Sequence, residues 1–161
     1  MKAKNKSLPY QKYEELVKKL IKSLERANLQ IEELGHGSKN KVEGKSGYKH
    51  QIDISFLIQG EKWLVECKHW RSKVKFKDVL IFMAHIIDIR NKQPRVNVKG
   101  LMITTCGYQK GGSQKIAEAY GIDLGKVKNE SEFGILINKT KFLGLQEKAK
   151  ATGEKVFVKK S

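Results

Sequence analysis

The chain has 161 residues, of which 39% are hydrophobic, and this length and composition favour a single globular domain. Lys and Arg total 33 against 17 Asp and Glu, which gives a formal net charge of +16 and indicates a polyanionic partner. We expect nucleic acid rather than a membrane, because the basic residues are spread along the chain and no apolar run approaches the roughly 18 residues of a membrane span.

The first half of the chain predicts a helix followed by a β-hairpin. Residues 1–8 read as a basic, flexible arm, and apolar residues then recur every three or four positions to about residue 28, as in an amphipathic helix. Residues 35–49 are rich in Gly, Ser, Asn and Lys without periodicity, which predicts a loop. The alternating runs at 50–58 and 63–68, joined by a turn, predict the two strands of a hairpin.

The second half predicts a helix, a strand, a helix and a strand. Their expected ranges are 74–89, 96–105, 113–120 and 122–124. The Gly-rich segment 107–112 is interpreted first as a turn, although its glycines would also allow close approach to a sugar-phosphate backbone.

This order of elements predicts an α/β fold in one domain. Helices are expected to flank a central mixed sheet within residues 9–126. Residues 127–161 are expected to be a C-terminal extension that packs on the same domain, with candidate strands at 133–137 and 156–158.

Cysteine usage and the N-terminal segment indicate a cytoplasmic setting. Cys67 and Cys106 lie in separate apolar runs and form no CxxC pair, so neither a zinc site nor a disulfide framework is expected. No apolar segment follows the basic start, so no secretory signal peptide is expected. We expect no small-molecule cofactor and no membrane association.

The hairpin brings together the residues that are best suited to chemistry. Glu66 and Lys68 are two positions apart on the second strand, so both side chains lie on one face of the sheet. Asp53, on the first strand, is expected on the face opposite to Ile52 and Ile54. A hairpin of modest length places Asp53 beside Glu66, so two carboxylates and an amine would meet at one point.

Such a trio suits metal-assisted phosphodiester hydrolysis. Two close carboxylates repel each other unless a cation lies between them, and oxygen ligands suit Mg²⁺, with Mn²⁺ as a substitute. Lys68 could orient or help to deprotonate the attacking water, or pair with charge that develops on phosphorus. A Glu-x-Lys pair alone is more often a solvent-facing ion pair, but charged residues on strands this apolar need a partner or a metal ion.

The motifs resemble those of a known nuclease family. Residues 51–54 (QIDI) and 65–68 (VECK) resemble the PD-(D/E)XK nuclease signature and, more narrowly, the Mrr-like restriction endonuclease catalytic domain. Tyr13-Glu14, residues 104–108 (TTCGY) and residues 121–124 (GIDL) match further motifs in the same order. The resemblance covers roughly residues 10–124, and it departs from the family name only in having Ile52 where a proline is named.

The resemblance implies a fold and a set of roles. The expected fold is a restriction-endonuclease-like three-layer core, with Asp53 and Glu66 as ligands of Mg²⁺ and Lys68 as the catalytic lysine. Glu14 would be an accessory catalytic carboxylate on the leading helix, where an ordinary surface glutamate is the alternative interpretation.

Several polar and basic residues border the hairpin and are candidates for substrate binding. A satisfied strand-edge histidine or a solvated basic rim is the alternative interpretation for each of them. The candidates are Lys49, His50, Gln51, His69, Arg71 and Lys73.

The predicted function is a Mg²⁺-dependent endonuclease of the Mrr-like restriction type that hydrolyses DNA. DNA rather than RNA follows from the resemblance alone. Cutting both strands needs two active sites, which is compatible with a homodimer. The alternatives are a structure-specific nuclease resembling Holliday-junction resolvases, a non-catalytic basic nucleic-acid-binding module, and an RNA-associated basic protein.

Overall fold

The computed structural model describes residues 15, 17–19, 21–22, 31–68 and 72–127. The strands are β1 (Ile31–His36), β2 (Lys41–Glu43), β3 (Lys49–Gln51), β4 (Ile54–Ile58), β5 (Glu61–Lys68), β6 (Asn97–Thr104) and β7 (Ile122–Lys126). The helices are α1 (Phe76–Lys92) and α2 (Gly112–Ala119), and the described residues between 15 and 22 are also helical.

The central sheet is mixed, as predicted. Its five strands lie in the order β1-β4-β5-β6-β7, while β2 and β3 form a separate two-stranded sheet. Strands β1, β4 and β5 are antiparallel neighbours, and β5, β6 and β7 are parallel. Parallel neighbours need crossover connections, which α1 and α2 supply.

Helical residues cover both faces of the sheet, so the predicted three-layer arrangement is confirmed. On one face, α1 buries Val79, Phe82, Ile86 and Ile89 against the sheet. On the other face, residues of β4 and β5 pack with Val17, and Ile21 packs against the same cluster. Each face therefore has its own apolar core, as expected of a sheet that is buried on both sides.

Gly100 explains how closely α1 approaches the sheet. It lies in the middle of β6, where a glycine normally weakens a strand. A Cβ atom at this position would lie 2.3 Å from Cδ1 of Ile86 and 3.2 Å from Cε1 of Phe82. The glycine therefore lets the helix pack directly on the strand.

The prediction of one continuous strand over residues 50–58 is wrong. The strand breaks at Ile52 and Asp53, between β3 and β4. Ile52 donates its N–H to the Asn40 carbonyl, and the Asn40 side chain donates to the Ile52 carbonyl over 2.8 Å. These bonds replace the strand ladder and turn the chain, so Ile52 packs on the α1 side while Ile54 packs on the opposite side.

The predicted loop at 35–49 also contains strand structure. Lys41, Val42 and Glu43 pair with Gln51, His50 and Lys49 to form the small β2–β3 sheet. The preceding strand β1 was not predicted. Its alternation is interrupted by a register shift between Glu32 and Gly35 and by a positive φ of 52° at Glu33, so it lacks the period of two that marks a strand.

The later elements agree with their predicted ranges to within three residues. The basic arm at 1–8 and the extension after residue 127, with its candidate strands, lie outside the described residues. Within the described part of the chain, neither helix combines the length and apolar character that crossing a lipid bilayer requires.

Candidate active site

Asp53 and Glu66 lie side by side, Asp53 just before β4 and Glu66 near the carboxyl end of β5. The β4–β5 register pairs Ile54 with Val65, so the residues one step further along, Asp53 and Glu66, are neighbours. The Asp53 carboxylate accepts the N–H of Cys67 over 2.8 Å, which fixes its position against β5. The turn at Ile52 therefore brings Asp53 to the site without breaking its contact with β5.

Lys68 completes the cluster from the same strand. Its Nζ lies 2.7 Å from Oε1 of Glu66, and the two side chains are 22% and 18% exposed. Leu64, Glu66 and Lys68 share one face of β5, whereas Trp63, Val65 and Cys67 pack into the core on the other face, as the alternation predicts. The site is therefore a charged pair at the partly covered carboxyl end of β5.

The ionised form of Glu66 is disfavoured at this site. Burial, followed by the negative charge of Asp53, raises the pKa of Glu66 from 4.5 to about 7, although Lys68 opposes this change. Burial alone would lower the pKa of Lys68, but Glu66, Asp53 and Asp78 outweigh it and raise the pKa. Lys68 is thus held as a cation at neutral pH.

The thiol of Cys67 takes no part in this cluster. It is fully buried, and burial together with the two nearby carboxylates raises its pKa well above the ordinary value. A protonated, buried thiol is a poor nucleophile and a poor metal ligand.

The donor set fits a hard divalent cation. Glu66 and Asp53 offer carboxylate oxygens. After burial, the charge of Asp53 is the next cause that raises the pKa of Glu66, and a cation between the two carboxylates would relieve that repulsion. No cluster of three or more His, Cys, Asp or Glu side chains with metal-binding geometry occurs among residues 31–68 and 72–127 or the few described before them. Two carboxylates are sufficient for Mg²⁺, which usually keeps several waters and adds substrate phosphates.

The predicted substrate-binding residues on β3 are divided between two environments. Lys49 and Gln51 are exposed on the strand that leads into Asp53. His50, between them, is 8% exposed, and its Nε2 lies 2.7 Å from a carboxylate oxygen of Asp88 on α1. Lys73 is exposed, whereas Glu14, His69 and Arg71 lie outside the described residues.

A polar network beside the site was not predicted from the sequence. Asp88 accepts hydrogen bonds from the backbone and hydroxyl of Ser46, and these bonds, with His50, lower its pKa to about 2. His85, one turn earlier on α1, has its ring centroid 4.6 Å from that of His50. Burial, His50 and the charge of Lys68 lower the pKa of His85. The spacing of His85 and Asp88 on one helical face was the available signal.

The sequence matches a family of restriction endonucleases. The model of the Mrr catalytic domain, described as a restriction endonuclease, matches residues 6–129. This range includes all three residues of the cluster and most of the chain. No curated protein matches the sequence.

Solved structures with a TM-score above 0.5 share the fold at low identity. Can2 from Sulfobacillus thermosulfidooxidans, in complex with cyclic tetra-adenylate, has a TM-score of 0.54 and 14% identity over 79% of this chain and 35% of its own. A protein of unknown function, AF1548, has a TM-score of 0.52 and 18% identity over 68% and 56%. A repair endonuclease from Pyrococcus abyssi has a TM-score of 0.49 and 16% identity over 78% and 50%. This chain thus spans between about a third and just over half of these proteins.

Proposed function

Because the chain belongs to the Mrr-like family of restriction endonuclease catalytic domains, we propose that it is a divalent-metal-dependent endonuclease that hydrolyses phosphodiester bonds in DNA. The observation that carries the proposal is the Glu66–Lys68 ion pair of 2.7 Å beside Asp53, at the partly covered end of a buried strand. The formal charge of +16 supports a polyanionic substrate.

Asp53 and Glu66 are the residues that would hold the cation, with Mg²⁺ as the expected ion and Mn²⁺ as a substitute. When bound, the cation would polarise the scissile phosphate, lower the pKa of a bound water and offset charge in the transition state. The N–H of Cys67 keeps Asp53 oriented, and the position of Glu66 on β5 keeps the second carboxylate close to it. Both ligands are therefore held by backbone that belongs to the rigid core.

Lys68 acts as a hydrogen-bond donor rather than as a free base. Its raised pKa keeps the ammonium group charged at neutral pH, because Glu66 and Asp53 stabilise the cation. A phosphate that enters the site would find this ammonium next to the carboxylates, where it can donate to a phosphate oxygen or to the attacking water. Loss of Lys68 therefore removes charge stabilisation that matters most in the transition state.

Cleavage of several nucleic acids tests the substrate class. Labelled linear duplex DNA, a synthetic four-way junction and single-stranded RNA are incubated with protein in Mg²⁺ or in EDTA. We expect cleavage of the duplex in Mg²⁺ and none in EDTA. Cleavage restricted to the junction would favour a resolvase-like enzyme, and tight binding without any cleavage would favour a basic binding module.

The products on a supercoiled plasmid test the assembly. A monomer with one active site produces nicked circles first, whereas a homodimer with two sites can produce linear DNA in one encounter. We propose the homodimer for cleavage of both strands. Accumulation of nicked circles at all protein concentrations would contradict it.

A further inference from the structure

An open groove of about 540 Å³ lies between α2 and the edge strand β7. Its walls are the loop after β6, one side of α2 and the edge strand β7. The residues that matter for its chemistry are Gly107, Lys110, Gln114, Glu118, Asp123 and Lys126. The Gly-rich segment interpreted as a turn in the sequence is therefore also one wall of a groove.

Lys126 lies in register with Lys68, the proposed catalytic lysine. The parallel ladders pair Lys68 with Thr104, and Thr104 with Lys126. Residues in register on neighbouring strands point to the same face, and Lys126 is two strands from Lys68, at about 10 Å for two strand spacings of about 4.8 Å. The groove thus continues the face of the sheet that carries the active site.

The loop that borders the groove is firmly attached to the core. The Tyr108 hydroxyl lies 2.5 Å from the Met102 carbonyl and 3.0 Å from the Gly125 carbonyl, which joins the loop to β6 and β7. Val74 donates its N–H to the Gly107 carbonyl and accepts the N–H of Gln109. The same loop is therefore tied to the segment that follows β5.

The Lys126 side chain lies against Gly107 of this loop. Gly107 has a φ of 87°, and a Cβ atom there would lie 3.6 Å from Cδ and 3.9 Å from Nζ of Lys126. The ammonium group of Lys126 therefore lies close to the loop.

The groove is basic around Lys126. Lys110 and Lys126 take part in no ion pair within the described part of the chain. Glu118, at the far end of α2, accepts a hydrogen bond from Gln114. Asp123 also lines the groove, but it lies three residues before Lys126 on β7, about 10 Å away along the strand.

We propose that this groove binds a backbone phosphate of the substrate strand, through Lys126 and Lys110, while the scissile phosphate lies at Lys68. The site rests on the proposed function for its ligand, since the same strand would run from one lysine to the other. Its role is to set the position of the strand along the sheet edge, which the catalytic cluster alone does not determine.

The salt dependence of DNA binding tests the proposal. Fluorescence anisotropy with a labelled duplex is measured in EDTA between 50 and 300 mM salt, for wild type, Lys126→Gln, Lys110→Gln and the double variant. The logarithm of the association constant for DNA falls linearly with the logarithm of the salt concentration. Loss of one phosphate contact makes this slope less steep by about 0.9, which corresponds to about eightfold weaker binding at 0.1 M salt. Lys115→Gln is the matched control, because Lys115 is exposed on α2 and does not line the groove.

We expect each groove variant to reduce the slope by about 0.9, the double variant by about 1.8, and the control to leave it unchanged. Equal slopes for Lys126→Gln and Lys115→Gln, in proteins with the same thermal midpoint, would overturn the site even if wild type cleaves DNA. A reduced slope for Lys126→Gln with no cleavage by wild type would support the site and refute the nuclease.

Discussion

Replacing Glu66 by Gln should stabilise the metal-free protein above neutral pH while abolishing cleavage. The carboxylate is only 18% exposed and lies beside Asp53, so its ionised form is disfavoured in the folded state. Gln has nearly the same shape as protonated Glu and carries no charge at any pH. The variant therefore removes the unfavourable free energy of keeping an ionised carboxylate at this position in the folded protein.

The size of this cost follows from the pKa. Below pH 4.5 Glu66 is protonated in both the folded and the unfolded chain, so it contributes nothing. Between pH 4.5 and about 7 the unfolded chain ionises first, so the free energy of unfolding falls as the pH rises. Above pH 7 the loss is complete, at about 3 kcal/mol for a pKa raised this far.

Urea denaturation of wild type and Glu66→Gln in EDTA, from pH 4 to pH 9, measures the difference. We expect the stability gained by the variant to grow by about 3 kcal/mol between pH 4.5 and pH 8. Mg²⁺ should then stabilise wild type above pH 7 and leave the variant unchanged, because only wild type keeps both ligands. Glu32→Gln, at an exposed position of β1, is the control. A difference between wild type and Glu66→Gln that does not change with pH would refute this reasoning.

Three further substitutions test separate parts of the structure. Asp53→Asn removes a neighbouring charge and should lower the pKa of Glu66 below about 7 but not to 4.5, since burial is the larger cause; carboxyl NMR titration measures it. Gly100→Ala forces a Cβ against Ile86 and should cost about 1–3 kcal/mol in urea denaturation, whereas an unchanged midpoint would mean that α1 can shift freely. Tyr108→Phe removes the hydroxyl between two strand carbonyls and should cost about 1–2 kcal/mol, read from the thermal midpoint; no change would contradict the attachment of the loop.

The proximity of Asp53, Glu66 and Lys68 was predictable because it depends on short-range regularities. The period of two in a strand placed Glu66 and Lys68 on one face, and the β4–β5 register brought Asp53 to Glu66. The four later elements were predictable for a similar reason, since their apolar periodicity is strong and uninterrupted.

The parts that were missed depend on long-range contacts. The chain turns at Ile52 because Asn40 bonds to its backbone, which no local pattern of residues reveals. Of the partners of Asp88, Ser46 lies in a segment that was predicted as a loop, and His50 begins a strand that was predicted to continue to residue 58. The bonds of Asp88 to them therefore had no expected geometry. The position of a charged residue on a helix face can be predicted from its spacing, but its partner can be identified only from the tertiary structure.

Single-turnover cleavage by Lys68→Ala is the most direct test of the proposed active site. Rates on a labelled duplex in saturating Mg²⁺ are compared for wild type, Lys68→Ala and the control Lys115→Ala, with binding measured separately in EDTA. We expect the lysine variant to cut at least about 100-fold more slowly while it binds DNA nearly as well, because a positioned cationic donor contributes mainly to the transition state. A rate within a few-fold of wild type, or cleavage that persists in EDTA, would contradict the account.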